Sequence, residues 1–373
     1  MRIPLAKPAL LDSDVEAVIR VLRTPNLAMG PVLAEFEQAI AAYIGSPFAV
    51  AVNSGTSALH LALRCLDLDE GDEVIVPSFA FAAIANVLLQ ERIVPVFVDI
   101  DPRTLNATPA AMQAAIGPRT RAVLVVHTFG YPAEIDVIRE ITRGHKLRLI
   151  EDACEALGAE VRGKKVGAFG DAALFAFYPN KQITTGEGGI LVTADPAIAH
   201  RAKLLRSQAQ DDSLDWAGQH TEIGYSYRIS DINCALGASQ LSRLEALLEQ
   251  RQKLAASYEA RLRHHPALRP PLSSCPCGRI SWFAYAVQLA ENFTRQDRDR
   301  IWRSLLDRGI GAGRYFAPLH NQPILKDRHR RSGSLAVTES VASRVLALPF
   351  FVGLTEDQIE EVCSTFLGLL TPT

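Results

Sequence analysis

The chain has 373 residues, of which 48% are hydrophobic and 21% charged, the proportions of an ordinary globular protein. A chain of this length is expected to form two domains rather than one small core. Its net charge of −2 offers no basic field to phosphate backbones, which argues against binding to nucleic acid or to a membrane surface.

The first half of the chain alternates between strand and helix patterns, after two initial helices at 13–22 and 32–44. The predicted strands are 48–52, 73–77, 94–100, 121–127, 147–150, 172–177 and 190–193. Helices are predicted between or after them at 58–66, 81–89, 109–116, 134–143 and 196–207. This alternation predicts an α/β fold, a mostly parallel sheet with helices on both faces.

The second half begins with a polar loop at 208–221 and a helical pattern from 230 to about 262, in which leucines recur every three or four residues. The remaining pattern is strand 282–289, helix 298–306, strand 310–315 and a final helix 356–370. We therefore predict a large domain over 1–240 and a smaller C-terminal α+β domain over 241–373, entered through the long helix. Residues 1–30 are expected near the smaller domain.

No apolar run reaches membrane-spanning length, and no charged-then-apolar segment with a cleavage site opens the chain, so we expect a cytoplasmic protein. The six cysteines are scattered, and only Cys275 and Cys277 are close in sequence. Because no second pair or neighbouring histidine completes a ligand set, the sequence predicts neither a metal site nor a structural disulfide.

Lys181 is the first candidate for chemistry. It follows the apolar strand 172–177 and a stop at Pro179 and Asn180, and it precedes a glycine-rich corner at 186–189. Such a position is poorly exposed to water, and desolvation favours the neutral amine that attacks an aldehyde to form a Schiff base. The alternative is a solvated lysine that happens to follow a strand.

Asp152 strengthens the Schiff-base interpretation. It stands after the strand 147–150, at the carboxyl end, where parallel α/β sheets bind ligands. A carboxylate there keeps a pyridine nitrogen protonated, and a lysine paired with such an aspartate is the pattern of a pyridoxal phosphate (PLP) site. An acidic helix N-terminus explains Asp152 equally well, but it explains nothing about Lys181.

A phosphate cradle is predicted at 54–57, Ser-Gly-Thr-Ser, between a strand and a helix. Glycine lets the backbone approach a ligand, and the start of a helix offers free N–H groups. Capping of the helix by Thr56 or Ser57 is the alternative. Phe81, after a strand end, is placed to stack on a pyridine ring, although core packing is the commoner role of a phenylalanine.

Together these segments resemble the DegT-type sugar-nucleotide aminotransferases, which are PLP enzymes of fold type I. The resemblance extends over nearly the whole chain, with motifs at residues 3–8, 30–31, 54–60, 71–77, 96–100, 151–153, 181–189, 224–228, 348–349 and 353–355. It implies that Lys181 carries the internal aldimine, that Asp152 pairs with the pyridine nitrogen and that Phe81 stacks on the ring.

The resemblance also implies which residues bind the cofactor's phosphate. Gly55 and Thr56, with Ser57 beside them, would hold it from one subunit. In the family, the segment that corresponds to 224–228 reaches the phosphate of the partner subunit. Ser226 and Arg228 are therefore further cofactor-binding candidates, and a homodimer with shared active sites is implied.

Three positions depart from the common pattern of the family. Glu155 stands where glutamine or histidine often contacts the cofactor's phenolic oxygen. The perosamine-synthase-like branch, which aminates C4 of a GDP-linked keto sugar, resembles this sequence in having glutamate there. Ala176 replaces a serine whose hydroxyl usually binds phosphate, and Ser226 replaces an asparagine that crosses between subunits.

We therefore predict transamination of a nucleotide-linked keto sugar at C4, with glutamate as amino donor, to give an amino sugar for polysaccharide, glycan or secondary-metabolite biosynthesis. Lys181 would serve as anchor and as general acid–base. Arg314, Tyr315 and His320 are candidates for holding the substrate, with ordinary packing or surface roles as the alternative. The alternative functions are a PLP-dependent sugar dehydratase, whose relatives have histidine in place of this lysine, and a non-catalytic PLP-binding regulatory protein.

Overall fold

The computed structural model describes residues 2–211, 219–220 and 222–370, so part of the predicted loop 208–221 lies outside the described residues. The α-helices are α1 (Asp12–Leu22), α2 (Pro31–Ile44), α3 (Gly55–Cys65), α4 (Ala83–Gln90), α5 (Pro109–Ala114), α6 (Ile135–Gly144), α7 (Pro196–Arg206), α8 (Asp231–Leu241), α9 (Leu244–Leu262), α10 (Arg295–Asp307), α11 (Ala336–Arg344) and α12 (Glu356–Leu367). The strands are β1 (Phe48–Val52), β2 (Glu73–Pro77), β3 (Val94–Val98), β4 (Thr120–Val126), β5 (Arg148–Asp152), β6 (Glu160–Val161), β7 (Lys164–Lys165), β8 (Ala172–Ala176), β9 (Gly189–Thr193), β10 (Gln210–Asp211), β11 (Gln219–His220), β12 (Leu268–Arg269), β13 (Gly278–Arg279), β14 (Tyr285–Leu289), β15 (Arg330–Arg331) and β16 (Val345–Leu348).

An eight-stranded sheet in the order β1-β9-β8-β5-β4-β2-β3-β15 forms the centre of the molecule. The pairs from β8 to β15 are parallel, and β9 is antiparallel to both β1 and β8. Val74 and Val76 of β2 pack into one apolar core, whereas Ile75 packs into another on the opposite face. Because apolar cores cover both faces of the sheet, the sequences of its central strands are continuous apolar runs. The predicted α/β fold with a mostly parallel sheet is confirmed.

A smaller antiparallel sheet, in the order β12-β14-β16, packs with α9, α10 and α12 around a separate apolar core. Tyr258, Tyr285 and Phe366 are fully buried there, and Ile3 from the N-terminal segment joins them. The N-terminal segment is held further by Leu5, whose carbonyl accepts a hydrogen bond of 2.9 Å from the amide of Phe350. The domain boundary at 240 and 241 stays a prediction.

The long helix predicted over 230–262 is two helices, α8 and α9. Arg243 breaks the helix, since its backbone leaves helical geometry and its guanidinium binds the Ala9 carbonyl at 2.5 Å and the Asp14 carboxylate at 2.6 Å. α8 packs on α1 and α2, whereas α9 packs on α12. The leucine spacing predicted helical structure but not the break between α8 and α9. The spacing continues across the break, although the two helices pack on different partners.

Two other differences lie in the C-terminal part. The segment 310–315, predicted as a strand, makes only isolated bridges, between Ile310 and Ile3 and between Gly313 and Ala347, among the described residues. It contains Gly311, where a Cβ would lie 2.3 Å from the Leu5 nitrogen, so only glycine allows the N-terminal segment to pass this close. The helix α11 and the strand β16 were not predicted.

Within the described residues, no helix is both long and apolar enough to cross a bilayer. The same part of the chain contains no group of three or more His, Cys, Asp or Glu side chains placed to hold a metal ion. The six cysteines are free thiols.

Candidate active site

A cavity of about 340 Å³ opens where β4, β5 and β8 end, at the edge where parallel sheets bind ligands. Seven of the residues predicted to bind cofactor or substrate line it: Gly55, Thr56, Phe81, Asp152, Glu155, Lys181 and Tyr315. The other lining residues are Ser54, Leu59, Ala83, Val126, Cys154, Leu174, Ala176, Tyr178, Asn180, Glu187, Gly188, Phe283 and Phe316. Residues from widely separated parts of the chain therefore meet around one space.

Lys181 lies in the turn that follows β8, where its amide donates a hydrogen bond of 2.9 Å to the Tyr178 carbonyl. Its side chain is 13% exposed, so the amine faces the cavity rather than open water. The Nζ atom is 3.8 Å from Glu155 Oε1 and 4.2 Å from the centroid of the Phe283 ring. A carboxylate and an aromatic face both favour a cation at this atom.

Asp152 is the last residue of β5, and its Oδ1 accepts a hydrogen bond of 3.1 Å from the Cys154 amide. Burial raises the pKa of the Asp152 carboxyl, while the Cys154 amide and the nearby Lys181 charge act in the opposite direction. A buried carboxylate of this kind is stabilised by a cation brought next to it. A protonated pyridine nitrogen is such a cation.

Glu155 is held firmly between two groups. Its Oε2 accepts a hydrogen bond of 2.9 Å from the Phe129 amide, and its carbonyl accepts one of 2.6 Å from Gln182 Nε2. Burial raises the pKa of the Glu155 carboxyl, and the Lys181 charge opposes that rise. The side chain therefore presents a fixed, partly desolvated oxygen to the amine of Lys181.

The predicted phosphate cradle is the start of α3. Ser54 is the N-cap, since its Oγ accepts a hydrogen bond of 3.1 Å from the Ser57 amide, so neither Thr56 nor Ser57 caps the helix. The Ser57 hydroxyl donates to Asn53 Oδ1 at 2.6 Å. Helix geometry leaves the amides of Gly55 and Thr56 without intrahelical acceptors, at the positive end of the helix dipole.

Gly55 is the residue that this cradle requires. A Cβ at that position would lie 2.8 Å from the Cβ of Ala176 and 3.1 Å from the Sγ of Cys154. Ala176 is where the resemblance leads one to expect a serine, and its methyl group packs close to the helix start. Without a serine at 176, the groups that this position offers to a phosphate are backbone amides.

Aromatic rings form another side of the cavity. Phe81 is 62% exposed, and its ring is inclined by 63° to that of Phe316, with the centroids 6.4 Å apart. Phe283 lies over the lysine amine, and Tyr315 lies between Phe283 and Phe316 at centroid distances of 6.4 and 5.2 Å. Phe81 thus keeps a free ring face at the cavity, as stacking on a flat ligand requires.

Five other candidates from the sequence are not among the described residues that line the cavity: Ser57, Ser226, Arg228, Arg314 and His320. Ser226 and Arg228 are exposed, and Arg228 Nη2 donates to Ser226 Oγ at 2.9 Å. Arg314 pairs with Asp299 at 3.1 Å and stacks on Trp302, 3.8 Å from the ring centroid.

His320 is buried, between Ser78 Oγ at 2.6 Å and Glu339 Oε1 at 3.0 Å. Of the three substrate candidates only Tyr315 lines the cavity.

Sequence reasoning missed several lining residues. Tyr178 and Asn180 stand inside the lysine motif, where Asn180 was interpreted only as part of a strand stop and Tyr178 was given no role. Phe283 and Phe316 lie more than a hundred residues beyond Lys181 in ordinary apolar sequence, so no local signal could have found them. Asn180 also leaves its buried Oδ1 without a hydrogen-bond partner among the described residues.

The groups around the cavity fit PLP. An amine that can bind an aldehyde, an acid for a ring nitrogen and a glycine-lined helix start for a phosphate surround one space. The unpartnered Asn180 oxygen at the cavity and the lack of room for a Cβ at Gly55 are both expected where a polar ligand approaches closely.

Comparisons with known proteins agree. The model of the DegT/DnrJ/EryC1/StrS aminotransferase family matches residues 8–367. The chain is 38% identical over 364 residues to GDP-perosamine synthase of Caulobacter vibrioides, which covers 97% of this chain and 96% of that protein. It superposes on the aminotransferase TlmJ of Streptoalloteichus hindustanus with a TM-score of 0.92 at 32% identity, over 99% and 98% of the two chains.

A further solved structure is PseC of Helicobacter pylori, an aminotransferase involved in the biosynthesis of pseudoaminic acid, with a TM-score of 0.94 at 29% identity over 99% of each chain. These matches confirm the predicted family, fold and cofactor. The chain therefore belongs to the DegT/DnrJ/EryC1/StrS aminotransferase family and is a PLP-dependent sugar aminotransferase.

Proposed function

We propose that the protein transfers the amino group of glutamate to C4 of a nucleotide-linked keto sugar. The observation that carries this proposal is the amine of Lys181, which opens into a cavity that also receives the carboxylates of Asp152 and Glu155. C4 is supported by Glu155, which the perosamine-synthase-like branch shares, and by the 38% identity to a GDP-perosamine synthase. The same relative makes a GDP-linked sugar the first substrate to test.

Lys181 moves the protons in this proposal. When bound, PLP supplies an electron sink for the negative charge left on carbon after a proton departs. In the first half-reaction Lys181 Nζ accepts the proton that leaves the α-carbon of glutamate and returns a proton to the cofactor carbon. In the second half-reaction Nζ takes that proton back and delivers a proton to the sugar carbon that receives the nitrogen. Glu155 Oε1, 3.8 Å away, and the Phe283 ring, 4.2 Å away, stabilise the ammonium between these transfers.

The remaining residues hold the cofactor. Asp152 keeps the ring nitrogen protonated, and its own buried charge is compensated by that proton. The amides of Gly55 and Thr56, with the dipole of α3, bind the phosphate. Phe81 covers one face of the ring and excludes water from it.

The active unit in this proposal is a homodimer. Ser226 and Arg228 are exposed, outside the cavity of their own subunit and free to reach another one. Phe81 and Tyr178 line the cavity and are 62% and 52% exposed in one subunit, and we expect a second subunit to cover the part of these rings that the cofactor leaves exposed.

Subunit mixing tests the shared site. The variants Lys181→Ala and Arg228→Ala are each expected to lose most activity. A hybrid dimer carries one site with an intact Lys181 and the partner's intact Arg228, so an equal mixture should recover up to about a quarter of wild-type activity. If Arg228 acts within its own subunit, the mixture stays as inactive as its parts.

The function itself is tested with nitrogen-15-labelled glutamate and the holoenzyme. Glutamate alone should change the absorbance of the bound cofactor, and a keto sugar linked to GDP, UDP or dTDP should restore it and acquire the label. A product that loses oxygen without acquiring nitrogen indicates the dehydratase. A cofactor spectrum that glutamate leaves unchanged indicates a regulatory protein without turnover.

A further inference from the structure

Two thiols face each other in a turn outside the active site. The sulfur atoms of Cys275 and Cys277 are 2.8 Å apart, and the Gly278 amide closes the turn over Pro276 by donating to the Cys275 carbonyl at 3.2 Å. Both residues are free thiols. Cys275 is buried, whereas Cys277 is partly exposed and lines a cavity of about 300 Å³ beside Tyr131.

The turn is connected to the catalytic lysine by the chain that leaves it. Gly278 pairs with Val161 in the β13–β6 ladder, and the chain continues to Ser281 and Phe283. Ser281 Oγ accepts a hydrogen bond of 3.2 Å from Gln182, the residue after Lys181. The thiols thus lie at the start of a short segment that ends over the lysine amine.

We propose that Cys275 and Cys277 are a reversible redox site that is oxidised by small disulfides. Cys277 Sγ attacks one sulfur of the disulfide, whose S–S bond breaks as the first small thiol leaves. Cys275 Sγ then attacks Cys277 Sγ, and the second small thiol leaves. The protein dithiol loses two electrons, the small disulfide gains them, and the two thiol protons end on the two leaving thiols.

The attack begins at Cys277 because its thiol is the more exposed of the two. Burial raises the pKa of Cys277 to about 12, so the thiolate is scarce at neutral pH and the exchange is slow. The second step is fast by comparison, because the two sulfurs are already in contact.

Oxidised glutathione in a mildly alkaline buffer tests this site on the holoenzyme. The number of titratable thiols in the denatured protein should fall from six to four, with the loss of two hydrogens in the mass and full reversal by dithiothreitol. Cys275→Ser should instead trap one glutathione on Cys277, and Cys363→Ser, at a buried thiol, should still form the bond. Six unchanged thiols, with no adduct on Cys275→Ser, would overturn the proposal.

A second and independent observation concerns Arg251, which lies in α9 and is 4% exposed. Its guanidinium donates to three carbonyls, those of Trp282 at 3.1 Å, Phe283 at 3.3 Å and Lys181 at 3.2 Å. No carboxylate forms an ion pair with it within the described part of the chain. Burial lowers the pKa of Arg251 to about 10, so the side chain stays charged at neutral pH.

This guanidinium joins the two segments that surround the lysine amine. It binds the backbone of Lys181 itself, and it binds the backbone of Phe283, whose ring lies 4.2 Å from Nζ. A charge-assisted bond to a carbonyl is stronger than a neutral one. Arg251 is held by carbonyls and by the Phe350 ring, 5.6 Å from its guanidinium carbon, without a carboxylate among the described residues. A buried guanidinium without a carboxylate partner is costly, so its position needs a reason beyond stability.

We infer that Arg251 is a positioning residue that fixes the Lys181 turn against Phe283. The inference rests on the role proposed for Lys181. Arg251→Lys keeps the charge and reaches fewer carbonyls, whereas Arg251→Met fills the space without any donor. The matched control on the same helix is Arg261→Met, because the partners of Arg261 within the described chain are Glu360, Glu356 and Ser257, near the surface.

The test is the pH midpoint of the bound cofactor's absorbance, measured without any substrate. We expect Arg251→Met to shift this midpoint and to lower kcat about a hundredfold with little change in KM, and Arg251→Lys to restore part of both. Thermal unfolding checks that each variant folds. A midpoint unchanged from wild type in a folded Arg251→Met would overturn the inference, and it would do so whether or not glutamate proves to be the donor.

Discussion

The two sides of the active-site cavity are built differently. On one side Asp152 and Lys181 follow strands, and Gly55 begins a helix. On the other side Phe283 and Phe316 come from irregular segments beyond α9. At a strand end or a helix start, the backbone hydrogen bonds of the sheet or helix fix the position of a side chain. Loops lack this constraint and tolerate amino-acid substitutions. We therefore expect the strand-end side to hold the cofactor and the aromatic side to select the sugar.

The largest expected effect comes from removing the amine on the strand-end side. Lys181→Ala deletes both the Schiff-base partner and the proton carrier, so kcat should fall by about 10⁴-fold or more. Lys253→Ala is the matched control, because Lys253 is 72% exposed and, among the residues that the structure describes, pairs only with Glu249 on its own helix. Turnover of Lys181→Ala within tenfold of the control would contradict the assigned role.

A smaller loss is expected from Asp152→Asn, which keeps the shape of the side chain and removes its charge. Without a carboxylate the ring nitrogen loses its proton, and the rate should fall by roughly 10²–10³-fold. Asp136→Asn, which breaks an ion pair with Arg162 away from the cavity, should leave kcat unchanged. Single-turnover kinetics with glutamate measure this step directly, and equal rates for the two variants would contradict it.

The aromatic side should affect the sugar more than the cofactor. Tyr315→Phe removes one hydroxyl from the cavity wall, and we expect KM for the keto sugar to rise about tenfold while the spectrum of the bound cofactor is unchanged. Its neighbour Arg314 pairs with Asp299 outside the cavity, so Arg314→Met should leave KM within about twofold. A larger KM change in Arg314→Met would show that the sugar extends beyond the cavity.

The same contrast explains what the sequence could predict. Asp152 ends a buried strand and Lys181 lies in the turn after one, so both carry local signatures, and the sheet brings such ends to one edge. Gly55 follows the same logic at a helix start, where a close approach leaves no room for a side chain. These site residues can therefore be predicted from a few neighbouring residues, and the motifs of the family resemblance include them.

The remaining positions depend on distant parts of the chain. His320 is a substrate candidate by sequence, yet it is buried between Ser78 and Glu339, and no local pattern could predict those two partners. Phe316 has no signal of its own in the sequence, and its place at the cavity follows from its packing near Phe81 and Phe129. The periodicity of apolar residues predicts helices, strands and their ends. It does not predict the long-range contacts that arrange the loops beyond α9.

The smallest expected effect is on stability, and it separates the cofactor's contribution to the free energy of unfolding from that of the protein alone. In the cofactor-free protein burial raises the pKa of Asp152 above its ordinary value of 3.8, so its contribution to stability is present below that value and is lost as pH rises through the raised pKa. At neutral pH, Asp152→Asn should therefore unfold with a free energy higher by on the order of 1 kcal/mol, measured in urea without PLP. The difference should vanish in acid, where the carboxyl is protonated in both states.

With PLP bound the order should reverse, because the charge of Asp152 then has a partner that the amide of Asn cannot replace. Wild-type protein should gain more stability from the cofactor than Asp152→Asn does. A variant that is less stable than wild type without PLP would mean that the carboxylate is already compensated by Lys181 and the Cys154 amide. The charge of Asp152 would then be compensated within the cofactor-free cavity. The strand-end side would not need the positive charge of a bound ring nitrogen.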